Sequence, residues 1–161
     1  MRPTWCYYPH PDEVYYHHTL DNSVISMTFG IQSDLSPLDR EFMRAEYRAR
    51  FPELSDGQVN TLYSMLYHFT HTLKIGDPII YPSTRHDRMV HVGKCTGLYR
   101  HVPDEPLGCV HQRDVQWLKT FDRNEFSPEA LRGISVTLVI FKVHNAIFLK
   151  ELNRLMRASR K

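Results

Sequence analysis

Four alternate residues in the second half of the chain combine side chains that suit a flat, polar ligand. They are His111, Arg113, Val115 and Trp117. A regular strand places alternate residues on one face, so this face would carry an imidazole, a guanidinium and an indole. Such a set can stack on a planar base and donate hydrogen bonds to its edge. A packed core with Arg113 at its rim fits the same spacing, and both interpretations stay open.

Other aromatic residues spread along the chain allow the same two interpretations. Trp5, Phe29, Tyr81 and Tyr99 could each pack in a core or form the wall of an aromatic pocket. Spacing alone does not decide between a core position and a pocket position.

Ten histidines raise the question of a metal site. The candidate ligand sets are His10, His17 and His18 near Cys6, or His68 with His71 on one helix face. The sequence has no HExxH motif, and no second cluster with ligand spacing supports either set. It also lacks GxSxG, a P-loop, GxGxxG and the acid-x-Lys triplet of PD-(D/E)xK nucleases. We therefore predict no metal, no cofactor and no catalytic residue.

The charge of the chain is unevenly distributed. Its 161 residues carry 20 Lys or Arg and 18 Asp or Glu, a net charge of +2. Residues 141–161 hold six of the bases and one acid, which leaves the first 140 residues with a net charge of −3. By composition the body of the chain is therefore not a surface that coats nucleic acid, which needs many bases.

Cysteine usage and hydropathy predict a single cytoplasmic domain. Cys6, Cys95 and Cys109 form an odd, scattered set without CxxC, which is typical of free thiols in a reducing compartment. The chain has the length of one domain. No apolar run approaches the ~18 residues that a membrane span needs, and the N-terminus lacks a signal-peptide stretch. We expect no membrane partner.

Start and stop signals along the chain predict a mixed α+β fold. Strands are predicted at residues 4–8, 24–29, 78–82, 89–95 with a continuation through 97–100, and 110–118. Helices are predicted at residues 11–20, from Ser36-Pro37, from the capping box of Ser55 and Gln58, from Ser127-Pro128, and over residues 147–155. The apolar run 134–141 is predicted to pass from strand to helix. Strands on both sides of a helical pair favour a domain built around a curled sheet.

Three segments taken together resemble a recurrent bacterial module. They are Gly76-Asp-Pro-Ile-Ile-Tyr-Pro-Ser83, Met89-Val-His-Val-Gly-Lys-Cys-Thr-Gly-Leu-Tyr-Arg100 and His111-Gln-Arg-Asp-Val-Gln-Trp-Leu118. They are similar to the N-terminal domain found ahead of Mrr-type nuclease domains in restriction and antiphage proteins. That domain belongs with the PUA-like barrels, which include EVE, YTH, ASCH and SRA domains. Trp5 stands where the family has an early Trp, whereas Ile31 replaces the family's Trp after Gly30.

The resemblance implies a small, curled PUA-like β-barrel flanked by helices over residues 1–150. Residues 151–161 would then be a basic C-terminal helix end or a linker towards a nuclease effector domain. Relatives of this type hold a flipped or single-stranded base in an aromatic pocket, and several discriminate modified bases. The implied function is non-catalytic recognition of nucleic acid, DNA rather than RNA, with a modified base as the target.

The resemblance and the shared strand face together predict the site residues. The predicted base pocket consists of Trp5, Phe29, Tyr81, Ser83, Tyr99, His111, Arg113 and Trp117. The predicted phosphate contacts are Arg85, Arg88 and Arg100, with Arg40, Arg44 and Arg48 in a row on one helix face that equally fits a solvated surface. The alternative is a non-catalytic module of the same fold that binds a nucleotide signal or a protein partner. The nearly neutral body of the chain favours this alternative.

Overall fold

The computed structural model describes residues 2–28 and 30–161, which contain seven strands and five α-helices. The strands are β1 (Trp5–Tyr7), β2 (Val24–Met27), β3 (Pro78–Ser83), β4 (Met89–Cys95), β5 (Arg100–His101), β6 (His111–Asp122) and β7 (Ile140–Lys142). The α-helices are α1 (Glu13–Asp21), α2 (Arg40–Arg50), α3 (Asp56–Tyr67), α4 (Pro128–Arg132) and α5 (Ala146–Ala158). A π-helical turn (His68–Thr72) continues α3, and a 3-10 turn (Arg123–Glu125) follows β6.

The strands form one mixed sheet that curls into a half-barrel. Their order is β2-β6-β4-β3-β1-β7, and β5 also pairs with β6. Strands β1 and β3 run parallel, and the other pairs are antiparallel. The long β6 pairs with β2 and β5 through residues 111–114 and with β4 through residues 115–122, so it carries the sheet around its bend. The predicted α+β class with a curled sheet and flanking helices is confirmed.

The sheet separates two hydrophobic clusters, because alternate residues of a strand point to opposite faces. In β1, Trp5 and Tyr7 belong to the first cluster, which also contains residues of α2 and α3. Cys6 between them belongs to the second cluster, with residues of α4 and α5. Ile79 and Ile80 in β3 divide in the same way. The strands near the centre of the sheet are therefore covered on both faces.

Helix α2 begins later than its sequence predicts. The hydroxyl and the N–H of Ser36 both donate to Asp34 Oδ1, at 2.8 and 2.9 Å, so Ser36 closes a turn instead of capping a helix that starts at Pro37. Asp39 takes the capping position, where its carboxylate accepts the N–H of Phe42 at 2.9 Å. The helix then starts at Arg40.

Two other helix starts are confirmed at the predicted residues. Ser55 Oγ accepts the N–H of Gln58 at 3.2 Å, and Gln58 Oε1 accepts the N–H of Ser55 at 2.9 Å, which completes the capping box of α3. Ser127 caps α4 with Pro128 in its first turn. Both helix starts are predictable from the sequence because the capping hydrogen bonds join residues only three or four positions apart.

Strand β4 ends before the predicted continuation through residues 97–100. The chain leaves β4 at Thr96, whose N–H donates to Asp114 O at 2.9 Å. It then forms the short β5, which pairs with residues 111 and 112 of β6. Strand β6 in turn extends to Asp122. The apolar run 134–141 contributes to β7 and is otherwise irregular.

The C-terminal helix α5 continues across the predicted boundary at residue 150. Leu152 lies beyond that boundary and is buried in the second hydrophobic cluster, so α5 is part of the folded unit on both sides of it. No helix in residues 2–28 and 30–161 combines the length and the apolar character that crossing a bilayer requires. Cys6, Cys95 and Cys109 are all buried free thiols.

Ile31, at the position where the resemblance expects a Trp, is fully buried in the first cluster. The residue before it, Gly30, has a φ of +78°, and a Cβ atom there would collide with the hydroxyl of Tyr47. The chain therefore passes closely beneath the Tyr47 ring at this point. Position 31 serves as a core position and not as a pocket wall.

Candidate functional site: an aromatic cleft

An open cavity of about 470 Å³ lies where separate parts of the chain meet, and we call it the aromatic cleft. It is lined by residues 7–11, by Tyr15, His18 and Thr19 of α1, by Ser26, Thr28 and Cys109, by residues 81–86, and by residues 136–139. Its volume is within the range of roughly 300–1,000 Å³ that is usual for small-molecule sites. By contrast, a second groove near Arg88 is lined by a single aromatic ring, that of Phe126.

Aromatic rings form the walls of the cleft. The rings of Tyr7 and Tyr81 are 6.1 Å apart at an angle of 64°, and those of His10 and Tyr15 are 4.9 Å apart at 48°. The Tyr7 hydroxyl donates to Ser26 O and accepts the N–H of Ser26, both at 3.0 Å, which fixes its ring. Tyr7 and Tyr81 are only 1% and 3% exposed, so the rings open to a ligand are those of Tyr8, His10 and Tyr15.

One buried hydroxyl inside the cleft lacks a hydrogen-bond partner. Ser83, at the end of β3, is 2% exposed, and its Oγ completes no hydrogen bond with a described residue. Burial raises the pKa of the neighbouring Tyr81 to about 12, and the Ser83 hydroxyl offsets part of that rise without adopting hydrogen-bond geometry. A buried polar atom without a partner costs about 1–3 kcal/mol, so a ligand that bonds it recovers that energy.

The predicted base-pocket residues are only partly brought together. Tyr81 and Ser83 line the cleft. Trp117 stands behind Tyr81 at a ring distance of 6.4 Å, and its Nε1–H donates to Thr19 O at 3.2 Å. Trp117 therefore supports the wall without reaching the cavity. Phe29 lies outside the described residues.

Trp5, predicted as a pocket wall, is fully buried in the first cluster. Its Nε1–H donates to Asp77 Oδ2 at 3.1 Å, and the same oxygen accepts the N–H of Lys74 at 3.0 Å. Arg2 completes the group by pairing with Asp77 Oδ1 at 3.5 Å. The Gly-Asp pair that opens the first resembling segment thus ties β3 to β1. Trp5 is a core residue with no face open to a ligand.

His111 and Tyr99, also predicted for the pocket, bond to each other within the protein and do not line the cleft. Nδ1 of His111 accepts from the Tyr99 hydroxyl at 2.8 Å, and its Nε2–H donates to the carbonyl of Ile31. The Tyr99 oxygen accepts the N–H of Leu35 at 3.1 Å. Burial raises the pKa of Tyr99 to about 12, so its hydroxyl stays a donor. Neither side chain keeps a free group for a base.

The free energy of unfolding is expected to fall as the pH drops through about 6.5. Burial lowers the pKa of His111, although the hydrogen bond to Ile31 opposes this shift. The unfolded chain therefore binds more protons in acid, and the stabilisation is complete only above the ordinary pKa of histidine. Burial also leads the causes that lower the pKa of His68, which adds to the same trend.

Urea denaturation at several pH values between about 5 and about 8 measures this slope, which reaches about 1.4 kcal/mol per pH unit for one histidine. The variant His111→Phe should show a smaller slope than the wild type, whatever its stability at neutral pH, and His68→Phe is the matched comparison. Identical slopes in His111→Phe and the wild type would contradict the assignment of His111 as a buried neutral imidazole.

Arg113, the third polar residue of the predicted face, is 2% exposed and bonded to main-chain carbonyls. Its Nε donates to Gly97 O and its Nη1 to Phe69 O, both at 3.1 Å, and Nη1 also donates to Leu73 O. The ion pairs among the described residues do not include it. Carbonyls at a helix C-terminus lack partners and attract a cation, which explains the position of this guanidinium. It is not available to a ligand.

Among the predicted phosphate contacts that follow β3, two arginines are free and one is paired. Arg85 is exposed and lines the cleft. Arg88 is exposed and lines a neighbouring groove. Arg100 binds Asp114 at 2.7 Å and Gln112 at 2.9 Å. The turn after β3 therefore supplies the cationic side of the site.

The predicted arginine row on α2 does not line the cleft. Arg40 lies over the ring of Tyr67 at 5.2 Å. Arg48 pairs with Asp56 at 3.0 Å and also donates to two carbonyls in the α2–α3 connection. Arg44 is exposed on the helix surface. At least Arg40 and Arg48 have structural partners that account for their positions.

The model of the family described as a domain of unknown function, DUF8426, matches residues 8–138. The chain belongs to this family. Tyr8 and Leu138, at the two ends of the match, both line the aromatic cleft. No curated protein matches the sequence. The crystal structure of protein Atu2648 from Agrobacterium tumefaciens is similar, with a TM-score of 0.43 and 13% identity over 94% of this chain and 92% of that chain.

The metal-ligand sets considered from the sequence have other partners in this DUF8426 chain. His17 pairs with Glu13 at 3.4 Å on the surface of α1. His71 stacks on Tyr67 with a ring distance of 4.8 Å. Cys6 is fully buried in the second cluster. Each of these three side chains is thus held by contacts within the protein.

A different trio with ligand chemistry lies beside the cleft of the DUF8426 chain. The ligand atoms of His18, Glu105 and Cys109 lie within 4.8 Å of one another. Glu105 Oε2 already accepts the N–H groups of Leu107 at 2.8 Å and Cys109 at 2.6 Å. Burial, with a further contribution from Glu105, raises the pKa of the Cys109 thiol to about 12. Glu105 is thus held by the backbone of the loop that precedes β6, next to the Cys109 thiol.

An Asp–His pair lies behind the cleft and supports its rings. His91 Nε2 bonds Asp87 Oδ2 at 2.6 Å, and His91 Nδ1 bonds Thr120 at 3.2 Å, so both imidazole nitrogens are occupied. Tyr16 also donates to Asp87 at 2.9 Å. Burial acts to raise the pKa of Asp87, but hydrogen bonds from Met89 N–H and Tyr16 outweigh it and lower the pKa. The pair has no ring nitrogen left to act on a substrate.

Several cleft residues were missed from the sequence. They are Tyr7, Tyr8, His10, Tyr15 and His86. Their sequence signal is the density of tyrosine and histidine from residue 7 to residue 18, a pattern that also fits a strand and metal ligands. These residues face the end of β3 only after β1 and β3 have paired in parallel, a contact between parts of the chain more than 70 residues apart.

Proposed function

We propose that this chain is a non-catalytic nucleic-acid-recognition domain that takes one unstacked base into the aromatic cleft. A single observation carries the proposal, namely a cleft of about 470 Å³ that has ring walls and an unpartnered buried hydroxyl, Ser83 Oγ, in its interior. A flat ring with a polar edge matches both features. Stacking on aromatic side chains contributes about 1–3 kcal/mol per base, which offsets the few kcal/mol that unstacking costs.

The resemblance supports the same ligand class. Its first segment runs along β3 and ends with Tyr81 and Ser83 in the cleft. We extend the proposal accordingly to a PUA-like domain of a bacterial restriction or antiphage protein that reads a modified base in DNA. A nuclease domain would act on the recognition event, and the buried free thiols suit the reducing cytoplasm.

The cationic residues support a local role for charge. Arg85 lines the cleft, whereas the body of the chain is nearly neutral. Affinity should therefore come from the cleft and a few local phosphate contacts, with a weaker dependence on salt than that of a protein that coats nucleic acid. This distinguishes a base reader from a protein that coats nucleic acid.

The proposal is tested by fluorescence anisotropy with short oligonucleotides. The panel contains single-stranded DNA, duplex DNA and RNA, each with unmodified and modified bases. Wild-type protein should bind at least one DNA at low salt. Ser83→Ala should weaken binding about tenfold, because the base edge loses its partner, while the free energy of unfolding stays equal or rises. Ser64→Ala on α3, outside the cleft, is the matched control and should change neither quantity.

Two outcomes would overturn the proposal. One is the absence of binding to every oligonucleotide at low salt. The other is binding that Ser83→Ala and Ser64→Ala alter equally. Tight binding of a free mononucleotide without binding of any oligonucleotide would instead identify the chain as a nucleotide-signal module.

A further inference from the structure

Three arginines line a groove of about 480 Å³ whose chemistry differs from that of the aromatic cleft. They are Arg88, Arg123 and Arg132, and Asn124 and Ser135 add polar groups beside them. None of the three takes part in the ion pairs of the described residues. By contrast, four other arginines pair with carboxylates, namely Arg2, Arg48, Arg50 and Arg100. Among the described residues, no carboxylate lies within ion-pair distance of the three groove arginines.

Three of the acids near the groove in sequence hold other hydrogen bonds. Asp122 Oδ1 accepts the N–H of Asn124 at 2.7 Å, and Glu125 Oε2 accepts the N–H of Asp122 at 2.8 Å. This capping box holds both carboxylates against the backbone of the 3-10 turn. Asp87 is bonded to His91 at 2.6 Å. Glu129 of α4 is exposed, and none of these four acids lies within ion-pair distance of the three arginines. The guanidinium groups therefore keep donors for an external anion.

Apolar side chains complete the groove. Phe126, Pro128 and Leu131 line it together with the arginines. Apolar walls concentrate the field of nearby charges, which favours an anion over water. Guanidinium groups bind phosphate oxygens with paired hydrogen bonds, so a phosphate or phosphodiester is the ligand class that fits best.

Two segments of chain connect the groove with the aromatic cleft. The turn after β3 runs from Ser83, which lines the cleft, to Arg88, which lines the groove. The Arg88 N–H closes this turn by donating to Ser83 O at 2.8 Å. Residues 131–139 line the groove first and then the cleft. Burial raises the pKa of Tyr8 in the cleft, and the charge of Arg123 acts in the opposite direction, as expected for close neighbours.

We infer that this arginine groove binds backbone phosphates of the same nucleic-acid strand whose base occupies the aromatic cleft. The inference rests on the proposed function for the identity of the strand, but the phosphate site itself stands on the groove. Base and backbone would thus be held by separate surfaces. The cleft would select the base, and the groove would fix the path of the strand.

The inference is tested with two triple variants. The groove variant carries Arg88→Gln, Arg123→Gln and Arg132→Gln. The control variant carries Arg154→Gln, Arg157→Gln and Arg160→Gln on α5 and the C-terminus, and it removes the same charge. A single-stranded DNA of mixed sequence is titrated by anisotropy at several salt concentrations. The groove variant should reduce the slope of log K against log[salt] by about 2, since each phosphate contact contributes about 0.7. The control variant should retain nearly the wild-type slope.

Inorganic tripolyphosphate provides a second probe that needs no base. It should raise the unfolding temperature of the wild type and the control variant but not of the groove variant. If no oligonucleotide binds the wild type, the proposed function fails, and the tripolyphosphate result alone decides whether the groove is a phosphate site. Equal responses of groove and control variants to tripolyphosphate would overturn the inference, and so would equal salt slopes when DNA does bind.

Arg123 is half-buried, so the triple variant is accompanied by a double variant of the two exposed positions, Arg88→Gln and Arg132→Gln. Its salt slope should fall by about 1.4. Arg154→Gln with Arg157→Gln is its control. If the triple variant does not fold, the same comparison of slopes in the double variants supports or overturns the inference.

Discussion

Replacing Arg113 with methionine is expected to lower the free energy of unfolding by at least about 3 kcal/mol, since several buried carbonyls lose their donor. The Arg113 guanidinium bonds the carbonyls of Gly97, Phe69 and Leu73. Each acceptor left without a partner costs about 1–3 kcal/mol. The loss is a large share of a typical total stability of about 5–15 kcal/mol.

Lysine at position 113 should recover only part of this loss. An ammonium group keeps the favourable charge near the end of the π-helical turn, but it lacks the planar fork that reaches separate carbonyls. Urea denaturation followed by circular dichroism measures all variants. Arg44→Gln, an exposed change on α2, is the control and should stay within about 0.5 kcal/mol of the wild type. A loss below about 1 kcal/mol for Arg113→Met would show that the carbonyls find water or other donors.

Replacing Tyr15 with alanine is expected to weaken binding of the oligonucleotide about 10- to 100-fold, the effect of losing one stacking ring. The Tyr15 ring is half-buried, lines the cleft and lies 4.9 Å from the ring of His10. Its hydroxyl donates to Leu107 O at 3.2 Å, which holds the ring in place. Tyr15→Phe keeps the ring and should retain most of the affinity.

The control for Tyr15→Ala is Tyr63→Ala on α3, a half-buried tyrosine outside the cleft. Anisotropy titrations with the tightest DNA of the panel measure binding, and thermal unfolding verifies that each variant is folded. Affinity that falls equally in Tyr15→Ala and Tyr63→Ala would attribute the effect to loss of stability and not to stacking. An unchanged affinity in Tyr15→Ala would show that the base does not stack on the Tyr15 ring.

The buried side chains of His111 and Arg113 differ from the aromatic cleft in what the sequence reveals about them. His111 and Arg113 look like ligand contacts because imidazole and guanidinium groups are rarely buried without a reason. Their reason lies in carbonyls of Ile31, Phe69 and Leu73, which are 40 to 80 residues away in the chain. A pattern of alternate residues identifies the face but not what covers it.

Several features follow from the sequence alone because they depend on neighbours within a few residues. The capping box of α3 and the start of α4 at Ser127 are short-range hydrogen bonds. The shared face of residues 111, 113, 115 and 117 follows from strand alternation, and the structure places all four side chains towards the first cluster or its edge. The α+β class with a curled sheet follows from the order of such elements.

Only the tertiary structure decided which residues form the site. The cleft requires the parallel pairing of β1 with β3, which places Tyr7, His10 and Tyr15 around the same cavity as Tyr81 and Ser83. Pairing partners that distant in sequence are selected by burial over the whole sheet, and no local signal encodes them. The sequence therefore determined the elements and their faces, whereas the packing of those elements determined that Trp5, His111 and Arg113 are closed inside and that the tyrosines after β1 are open.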